Sequence, residues 1–370
     1  MRFDWRAIER ELAGLLEGLD GLAVDRERVE YFAEEIRAGR LDSESNRLPA
    51  PPEPAPDELV DRLEAFPEIE RAYYTEIGRE LLARGEVAVA VLNGGMATRF
   101  GGAVKGIVEA VGGRSFLELK REQALRHGPV PFLVMNSFAT HQHTLRFLAA
   151  HGLEDDVLPF LQSASLRLTP EGELFRDASG ALSLYAPGHG DFLTALRDSG
   201  RLAELAERGV RAIALSNVDN LGAELDPVIV GYHLKHGRAL TVEVAETMGG
   251  DVGGAPARVG GRIQIVEGFR FPRDFDFDRI RFINTNTFMI SLSAWEKDYP
   301  LSWFYVEKKV DGRKVVQMER LIGELSAFVE TAYLAIPRSG PRGRFFPVKT
   351  PADLEALRRD AELRKRFSGA

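Results

Sequence analysis

From residue 86 onward, short β-rich runs alternate with helical patterns, and this alternation constrains the fold more than any other feature of the chain. The β-rich runs are EVAVAVLN, VPFLVMN, VRAIALSNVD, ALTVEVAE and RFINTNTFMISL, and the helical patterns include FLELKREQALRHG and DFLTALRDSGRLAELAERG. Strands that alternate with helices form a largely parallel sheet with helices on both faces. The sequence therefore predicts an α/β fold with a doubly wound, mixed and mostly parallel sheet.

Three segments are predicted along the chain. Residues 1–85 have apolar positions at three- and four-residue spacing in IERELAGLLEGL and LVDRLEAF, which predicts a helical region, interrupted by the proline-rich connector RLPAPPEPAP. Residues 86–335 carry the alternating pattern and are predicted to form the catalytic domain. Residues 336–370 are predicted to form a C-terminal segment with a last helix and a tail.

Composition restricts the partners that the chain can have. The formal net charge of −8 gives no basic footprint for nucleic acid. No uninterrupted apolar run approaches the roughly 20 residues that span a bilayer. The sequence contains no cysteine, which excludes disulfides, thiolate metal sites and thiol nucleophiles and fits a reducing cytosol. We expect a cytoplasmic protein with no nucleic-acid or membrane partner.

The loop after the first β-rich run is the first candidate site. It reads LNGGMATRFGGAVKG and contains five glycines, at the carboxyl end of a predicted strand. Doubly wound sheets bind ligands at that edge, and glycine lets backbone N–H groups approach a phosphate closely. Thr98, Arg99 and Lys105 can add donors and charge. Neither the dinucleotide pattern G-x-G-x-x-G nor the ATPase pattern G-x-x-x-x-G-K-[ST] fits, so the loop is predicted to cradle phosphates in another way.

Eight motifs in order resemble those of one family of sugar-nucleotide pyrophosphorylases. They are the glycine-rich loop, MNSFATHQHT, FLQSASLRL, PGHGD, SNVDNLGAELD, FINTNTF, KKVDGRKVVQME and IPRSGPRGRFFPVKT, and together they cover roughly residues 90 to 355. The family is that of the UTP–glucose-1-phosphate uridylyltransferases, in its eukaryotic form. The resemblance implies a nucleotide-diphospho-sugar transferase fold of the Rossmann-like type.

The resemblance also implies a reaction. A sugar 1-phosphate, most simply glucose 1-phosphate, attacks the α-phosphorus of UTP and gives a UDP-sugar and pyrophosphate. Such a transfer needs no enzyme nucleophile, because positioning and charge neutralisation carry the catalysis. Lys105 is the predicted partner of the UTP phosphates. By its place in the K-x-x-D motif, Lys308 is the implied second catalytic lysine; Lys309 is a close competitor for that role.

The remaining site residues follow from the same motifs. Asp219, which comes after the strand RAIALS, is the candidate ligand of Mg²⁺, since this ion takes one or two protein carboxylates together with phosphate oxygens. An Asx-turn or helix cap is the structural alternative for Asp219. The predicted sugar-binding residues are Asn220, Asn284 and Asn286. The predicted nucleotide-binding residues are Asn93, Gly94, Gly95, Thr98, Arg99, Gln162, Gly188, His189 and Gly190, with Gln162 expected to contact the uracil edge.

Some alternatives stay open at this point. N-acetylglucosamine 1-phosphate, galactose 1-phosphate or several sugar phosphates could be the substrate, and a nucleotide-sugar sensor on the same fold is a second class of function. Ala97, Arg99, Phe100 and Val104 depart from the family pattern. The stretch TRF resembles the loop of related nucleotidylyltransferases, which leaves dTTP as a competitor of UTP. The family's C-terminal β-helix has no counterpart in the sequence, so a monomer or weak dimer is expected.

Overall fold

Helices and strands alternate along most of the chain. The structure is a computed structural model that describes residues 3–97 and 102–368. The helices are α1 (Trp5–Leu15), α2 (Arg26–Arg37), α3 (Glu68–Ala83), α4 (Phe116–Leu125), α5 (His141–His151), α6 (Phe192–Asp198), α7 (Arg201–Glu207), α8 (Pro227–Lys235), α9 (Pro351–Arg359) and α10 (Ala361–Ser368). The strands are β1 (Glu53–Pro54), β2 (Val60–Arg62), β3 (Val87–Asn93), β4 (Met96–Ala97), β5 (Ala103–Val104), β6 (Glu109–Val111), β7 (Arg114–Ser115), β8 (Phe132–Asn136), β9 (Leu158–Leu161), β10 (Ser165–Leu166), β11 (Leu184–Tyr185), β12 (Ala212–Asn217), β13 (Leu240–Glu246), β14 (Ala255–Val259), β15 (Arg262–Val266), β16 (Phe282–Ser291), β17 (Phe304–Val310), β18 (Arg313–Glu319) and β19 (Thr331–Ala335).

The largest sheet has eight strands in the order β2-β19-β13-β16-β12-β3-β8-β9. Strand β16 runs antiparallel to both of its neighbours, and every other adjacent pair is parallel. The predicted mixed, mostly parallel sheet is therefore confirmed. Strands β8 and β12 flank β3, so the three strands end at one edge, where Asn93, Asn136 and Asn217 are their last residues.

Both faces of this sheet are covered, which explains the continuous apolar sequence of β3. Successive side chains of a strand point to opposite faces. Val87, Val89 and Val91 pack in a cluster with residues of α3, α4, α5, α8 and α9. Ala88 and Ala90 pack on the other face with residues of α6 and α7. A strand covered on both sides is apolar at every position rather than at alternate ones.

The N-terminal segment contributes to two parts of the molecule. Helices α1 and α2 bury Trp5 and Phe32 against residues of β10, β11 and β18, including Leu166 and Met318. Strand β2 pairs with β19 at the border of the large sheet, and α3 packs along α8. The segment from residue 60 onward thus belongs to the same layers as the sheet, while the division at residue 85 stays a prediction.

One helical prediction in this segment is wrong. The stretch LVDRLEAF has helical spacing, but it forms the short strand β2 and a 3₁₀ turn over Leu63–Ala65. The stretch is short and lies between Pro56 and Pro67, and strand pairing of Val60 with Tyr333 satisfies its backbone. In the described residues, no helix combines the length and the apolar character needed to cross a membrane.

Candidate active site

A cavity of about 410 Å³ lies at the carboxyl ends of β3 and β12. It contains eight of the fifteen predicted site residues, which are Asn93, Gly94, Gly95, Lys105, Gln162, Gly188, His189 and Asp219. These residues come from four separate motifs of the sequence. The structure therefore brings the glycine-rich loop, the FLQS segment, the PGHGD loop and the SNVDN segment together around one space. Thr98 and Arg99, also predicted here, lie outside the described residues.

The charged centre of the cavity is an ion pair between Lys105 and Asp219. The Nζ atom of Lys105 lies 2.8 Å from Oδ2 of Asp219 and donates a second hydrogen bond of 3.0 Å to the carbonyl oxygen of Val348. The Asp219 side chain is 9% exposed and the Lys105 side chain 24% exposed. Oδ1 of Asp219 has no hydrogen-bond partner among the described residues. One oxygen of this carboxylate thus holds the lysine, and the other remains available.

Asn93 holds in place the turn that carries Lys105. Its Nδ2 donates to Oδ1 of Asn136 at 2.8 Å and to Oγ1 of Thr144 at 3.1 Å, and its Oδ1 accepts from the backbone N–H of Gly106 at 3.1 Å. A Cβ atom on Gly106 would stand 2.4 Å from that Oδ1. The Asn93 side chain is therefore used inside the protein. Of the predicted nucleotide contacts at this position, only a backbone contact fits the geometry.

Gln162 lies directly against the glycine-rich loop. Its residue is 4% exposed, and a Cβ atom on Gly94 would stand 2.0 Å from its Nε2. Glycine at position 94 thus permits the close approach of the amide. The Oε1 atom of Gln162 is buried and accepts no hydrogen bond from the described residues. A buried amide oxygen without a donor is suited to the N–H group of a bound base.

The PGHGD loop is anchored to the segment after β18. Gly188 has φ of 87°, and a Cβ atom there would stand 2.6 Å from the carbonyl oxygen of Arg320. The backbone N–H of Gly190 donates to the same oxygen at 2.9 Å. Gly190 does not line the cavity; a Cβ atom on it would stand 2.5 Å from the backbone nitrogen of Leu321, so this glycine allows the two segments to pack closely.

His189 is held as a neutral donor in this loop. Burial lowers the pKa of the imidazole to about 4. Its Nδ1 accepts a hydrogen bond of 3.1 Å from the backbone N–H of Ile322. Because Nδ1 accepts, the neutral ring carries its proton on Nε2. His189 therefore presents an N–H donor without bringing a charge into the cavity that it lines.

Lys308 does not line the cavity. It lies on β17, where its Nζ is 3.5 Å from Oε1 of Glu319, and its side chain is 49% exposed. Glu319 does line the cavity, so Lys308 lies at the rim. Lys309, the alternative to Lys308, is exposed on the same strand. The two predicted catalytic lysines therefore differ in how far they are buried and in the carboxylate with which each is paired.

The three asparagines predicted to bind sugar have different surroundings. Asn220 donates from Nδ2 to the carbonyl oxygen of Arg344 at 3.1 Å, and its Oδ1 accepts from the N–H of Phe346 at 2.9 Å. This side chain therefore anchors the C-terminal segment. Asn286 donates from Nδ2 to Oδ1 of Asn217 at 2.8 Å, and its own Oδ1 is buried without a partner in the described residues. Asn284 accepts from the N–H of Asn286 at 2.9 Å.

Asn217 and Glu319 also line the cavity, although neither was among the predicted site residues. The position of Asn217 at the end of β12 was a usable signal, because polar residues at that edge face the ligand crevice. Glu319 had no comparable signal. Glu267 does not line the cavity; burial raises the pKa of its carboxyl to about 7, and it lies beside Gly254, whose carbonyl accepts from the N–H of Asn284.

The segment before α9 completes the cavity. Lys349 lines it together with Pro347. The segment is fixed from behind by Arg344, whose Nε and Nη2 each lie 2.7 Å from a carboxylate oxygen of the buried Glu243. A planar guanidinium bonded at two points to a carboxylate defines its orientation closely. The segment is thereby placed so that the carbonyl of Val348 reaches Lys105.

Comparison with known proteins agrees with this architecture. The sequence model of the UTP–glucose-1-phosphate uridylyltransferase family matches residues 53–364. The potato UTP–glucose-1-phosphate uridylyltransferase is 32% identical over 296 residues, which are 74% of this chain and 61% of the potato protein. The enzyme of the same name from Encephalitozoon cuniculi is 30% identical over 313 residues, or 80% of this chain and 61% of that protein. The chain thus spans about three fifths of the length of the curated relatives it matches.

Solved structures give the same result. A variant of UDP-glucose pyrophosphorylase from Leishmania major superposes with a TM-score of 0.72 at 26% identity, covering 96% of this chain and 81% of that one. Another variant of that protein, in complex with UDP-glucose, gives a TM-score of 0.71 at 28% identity, with 90% and 75% covered. With the family match over most of its length, the chain belongs to the UTP–glucose-1-phosphate uridylyltransferase family.

Proposed function

We propose that this chain transfers UMP from UTP to a sugar 1-phosphate, with glucose 1-phosphate as the preferred acceptor. The observation that carries the proposal is the Lys105–Asp219 ion pair, placed beside the glycine backbone of residues 94–95 in a cavity at the carboxyl edge of the sheet. A paired cation and carboxylate beside exposed loop backbone suit a substrate with several phosphates. Membership of the family supports this choice of reaction.

In the proposed reaction, a phosphate oxygen of the sugar 1-phosphate forms a bond to the α-phosphorus of UTP. The bond between that phosphorus and the oxygen bridging to the β-phosphate breaks, and its electron pair leaves with pyrophosphate. No bond to the protein is needed. Lys105 and Lys349, both on the cavity wall, would neutralise the negative charge that moves toward the leaving group. His189 would donate its Nε2–H to a phosphate or ribose oxygen.

Recognition of the base rests on Gln162. Its unpartnered Oε1 can accept the N–H of uracil, and the backbone of Gly94 and Gly95 supplies further polar groups beside it. A base with the wrong pattern would leave these buried groups unpaired. We therefore expect UTP to exceed ATP in kcat/KM by about 10⁴ or more. The same argument is weaker for dTTP, which presents the same N–H and carbonyl pattern.

Magnesium fits this site as a metal brought in with the nucleotide. No group of three or more His, Asp or Glu side chains in the described residues forms a metal cage. Asp219 offers one oxygen that has no other partner, which matches an ion that takes one protein carboxylate and several phosphate oxygens. When bound, Mg²⁺ would neutralise charge on the α-phosphate. Asp219 would hold it through this oxygen, while Lys105 keeps its place on the other oxygen and neutralises phosphate charge from there.

The sugar is proposed to lie toward β16. Asn217 lines the cavity, and Asn286 is bonded to it and has a buried oxygen without a donor. Amide groups that have one unused atom can donate to or accept from sugar hydroxyls. Asn220 is not part of this proposal, because both atoms of its amide bond to the C-terminal segment.

A pyrophosphate-release assay tests the function. The four common NTPs are crossed with glucose, galactose and N-acetylglucosamine 1-phosphates in the presence of Mg²⁺. We expect release with UTP and glucose 1-phosphate, and its loss in Asp219→Asn. Saturable binding of UDP-glucose without any pyrophosphate release would favour the sensor over the enzyme. Release of pyrophosphate with N-acetylglucosamine 1-phosphate alone would support the proposed reaction type but replace glucose 1-phosphate as the proposed acceptor.

A further inference from the structure

We propose that a second cleft, outside the catalytic cavity, binds a small phosphate-bearing anion. The cleft has a volume of about 170 Å³ and lies between α6 and residues 294–299. Its polar wall includes Arg197, Lys297, Arg320 and Tyr299. The cleft shares no lining residue with the catalytic cavity.

The charge in this cleft is positive although the chain carries a net −8. Three cationic side chains line it, against one carboxylate, that of Asp298. Asp298 is paired with Arg197. Lys297 is exposed and forms no ion pair with any residue that the structure describes. Two cations, Lys297 and Arg320, therefore remain for a ligand.

Arg320 is the strongest indication that the cleft has a ligand. Its guanidinium lies over the ring of Trp303, with Cζ 5.1 Å from the ring centre. Stacking of this kind uses the face of the guanidinium and leaves the N–H groups at its edge for an acceptor. Its Nε is buried and has no hydrogen-bond partner in the part of the chain that the structure describes. Buried donors in native proteins are normally satisfied, so an anion would supply the missing acceptor.

Asp191 and Glu324, the two carboxylates whose charges favour the protonated form of Arg320, have hydrogen-bond partners of their own. Oδ2 of Asp191 accepts from the N–H and the hydroxyl of Ser163, both at 2.7 Å. Glu324 accepts from the N–H of Ser302 at 2.5 Å and from its hydroxyl at 2.6 Å. Neither carboxylate forms an ion pair with Arg320 among the described contacts. The acceptor that this guanidinium lacks is therefore not supplied by these neighbours.

The size and chemistry of the cleft favour phosphate. A guanidinium edge, an ammonium group and the Tyr299 hydroxyl can together donate to several oxygens of one anion, and a doubly charged anion suits two cations. A volume of about 170 Å³ is below the roughly 300 Å³ at which drug-sized pockets begin, so a whole nucleotide would not be enclosed. Inorganic phosphate or the phosphate group of a small monoester fits. The backbone of Arg320 also bonds to Pro187 and Gly190, which connects the cleft to the His189 loop.

Titration of the full chain with inorganic phosphate tests this site. Trp295 lines the cleft and Trp303 stacks on Arg320, so tryptophan fluorescence reports occupancy locally. We expect one saturable transition, and a Kd raised by about tenfold or more in Arg320→Gln and in Lys297→Gln. Lys349→Ala, which changes the catalytic cavity, and Arg258→Gln, which changes a partly exposed arginine on β14, should keep the wild-type Kd. These controls separate this site from the proposed catalytic function.

Three results would overturn the proposal. The first is the absence of a saturable response in the wild-type chain. The second is a response that Lys349→Ala removes and Lys297→Gln leaves intact, since phosphate would then occupy the catalytic cavity. The third is an equal loss in Arg258→Gln, which would show unspecific attraction. If Arg320→Gln fails to fold, Lys297→Gln decides, because this side chain is exposed and makes no ion pair with the described residues.

Discussion

Lys105 and Lys308 were both predicted to be catalytic lysines, yet one lies inside the cavity and the other lies on a hairpin at its rim. Lys105 lies in a turn at the edge of the large sheet, and its ammonium group is fixed by a carboxylate at 2.8 Å and a carbonyl at 3.0 Å. Lys308 lies on a two-stranded hairpin, half exposed, with a carboxylate 3.5 Å away. One cation is preorganised inside the cavity, and the other is solvated at its rim.

A motif can therefore identify the type of residue at a site without indicating how much that residue contributes to catalysis. A charge that is already oriented in a partly buried site costs little reorganisation when the substrate arrives. An exposed charge is screened by water and must first be ordered. We therefore expect catalysis to depend on the buried side of the cavity far more than on the hairpin, and the following variants test that expectation.

The largest effect is expected for Asp219→Asn. The substitution keeps the shape of the side chain and one acceptor oxygen but removes the charge that holds Lys105 and, in our proposal, Mg²⁺. We expect a loss of about 10³-fold or more in kcat, with near-normal thermal stability. Steady-state kinetics across a range of Mg²⁺ concentrations measure this, and excess metal should restore part of the activity.

Asp251→Asn is the matched control for that experiment. Asp251 is likewise in an ion pair, with Arg338, but it does not line the cavity. It should keep wild-type kcat. Unfolding of Asp219→Asn would instead identify this carboxylate as a structural cap, and unchanged turnover with or without a chelator would remove the metal assignment.

Lys105→Ala comes second. Loss of this ammonium group removes the positive charge that would stabilise the phosphates as negative charge shifts to the leaving group, so kcat should fall by roughly 10²- to 10³-fold. Lys105→Arg keeps the charge and should recover only part, because the larger planar group does not reproduce the contacts to Asp219 and Val348. A change confined to KM would mean that Lys105 binds substrate and transition state equally.

The positions of the strands and the edge of the sheet that carries the site could be read from the sequence. The apolar run VAVAVL and the polar residues that follow it are local features, and β3 with Asn93 at its end has the predicted form. The motifs also predicted which segments converge. The direction in which each side chain points could not be read from the sequence. The amide of Asn93 is hydrogen-bonded to a backbone group 13 positions away along the chain, and the amide of Asn220 to backbone groups more than 100 positions away.

Asn93→Ala tests whether that inward amide matters to catalysis. The Gly106 N–H would lose its acceptor, which should lower stability by about 1–3 kcal/mol, and the turn that carries Lys105 would be less well fixed. We expect kcat to fall by roughly 10- to 100-fold with a small change in KM. Thermal denaturation and kinetics on the folded fraction measure both quantities.

Gln123→Ala separates the two effects. Gln123 is also a buried amide with a hydrogen bond of 3.0 Å, to the carbonyl of Leu221, but it lies outside the cavity. It should lower stability without lowering kcat. If both variants lose stability and neither loses kcat, Asn93 is structural only.

The smallest effect is expected for Lys308→Ala, and it decides whether the comparison between the two lysines holds during the reaction. An exposed ion pair contributes about 0–1 kcal/mol, so the thermal stability should stay nearly unchanged. If Lys308 remains at the rim when substrates are bound, kcat should fall less than about tenfold, because a screened charge adds little stabilisation to the transition state. Lys314→Ala, which changes an exposed lysine paired with Glu307 on the same hairpin, is the matched control.

A loss in Lys308→Ala as large as that in Lys105→Ala would instead mean that the β17–β18 hairpin moves toward the cavity when UTP binds and brings Lys308 to the phosphates. Glu319→Gln would then raise kcat, since it frees Lys308 from its resting partner, whereas a fixed hairpin predicts an unchanged kcat.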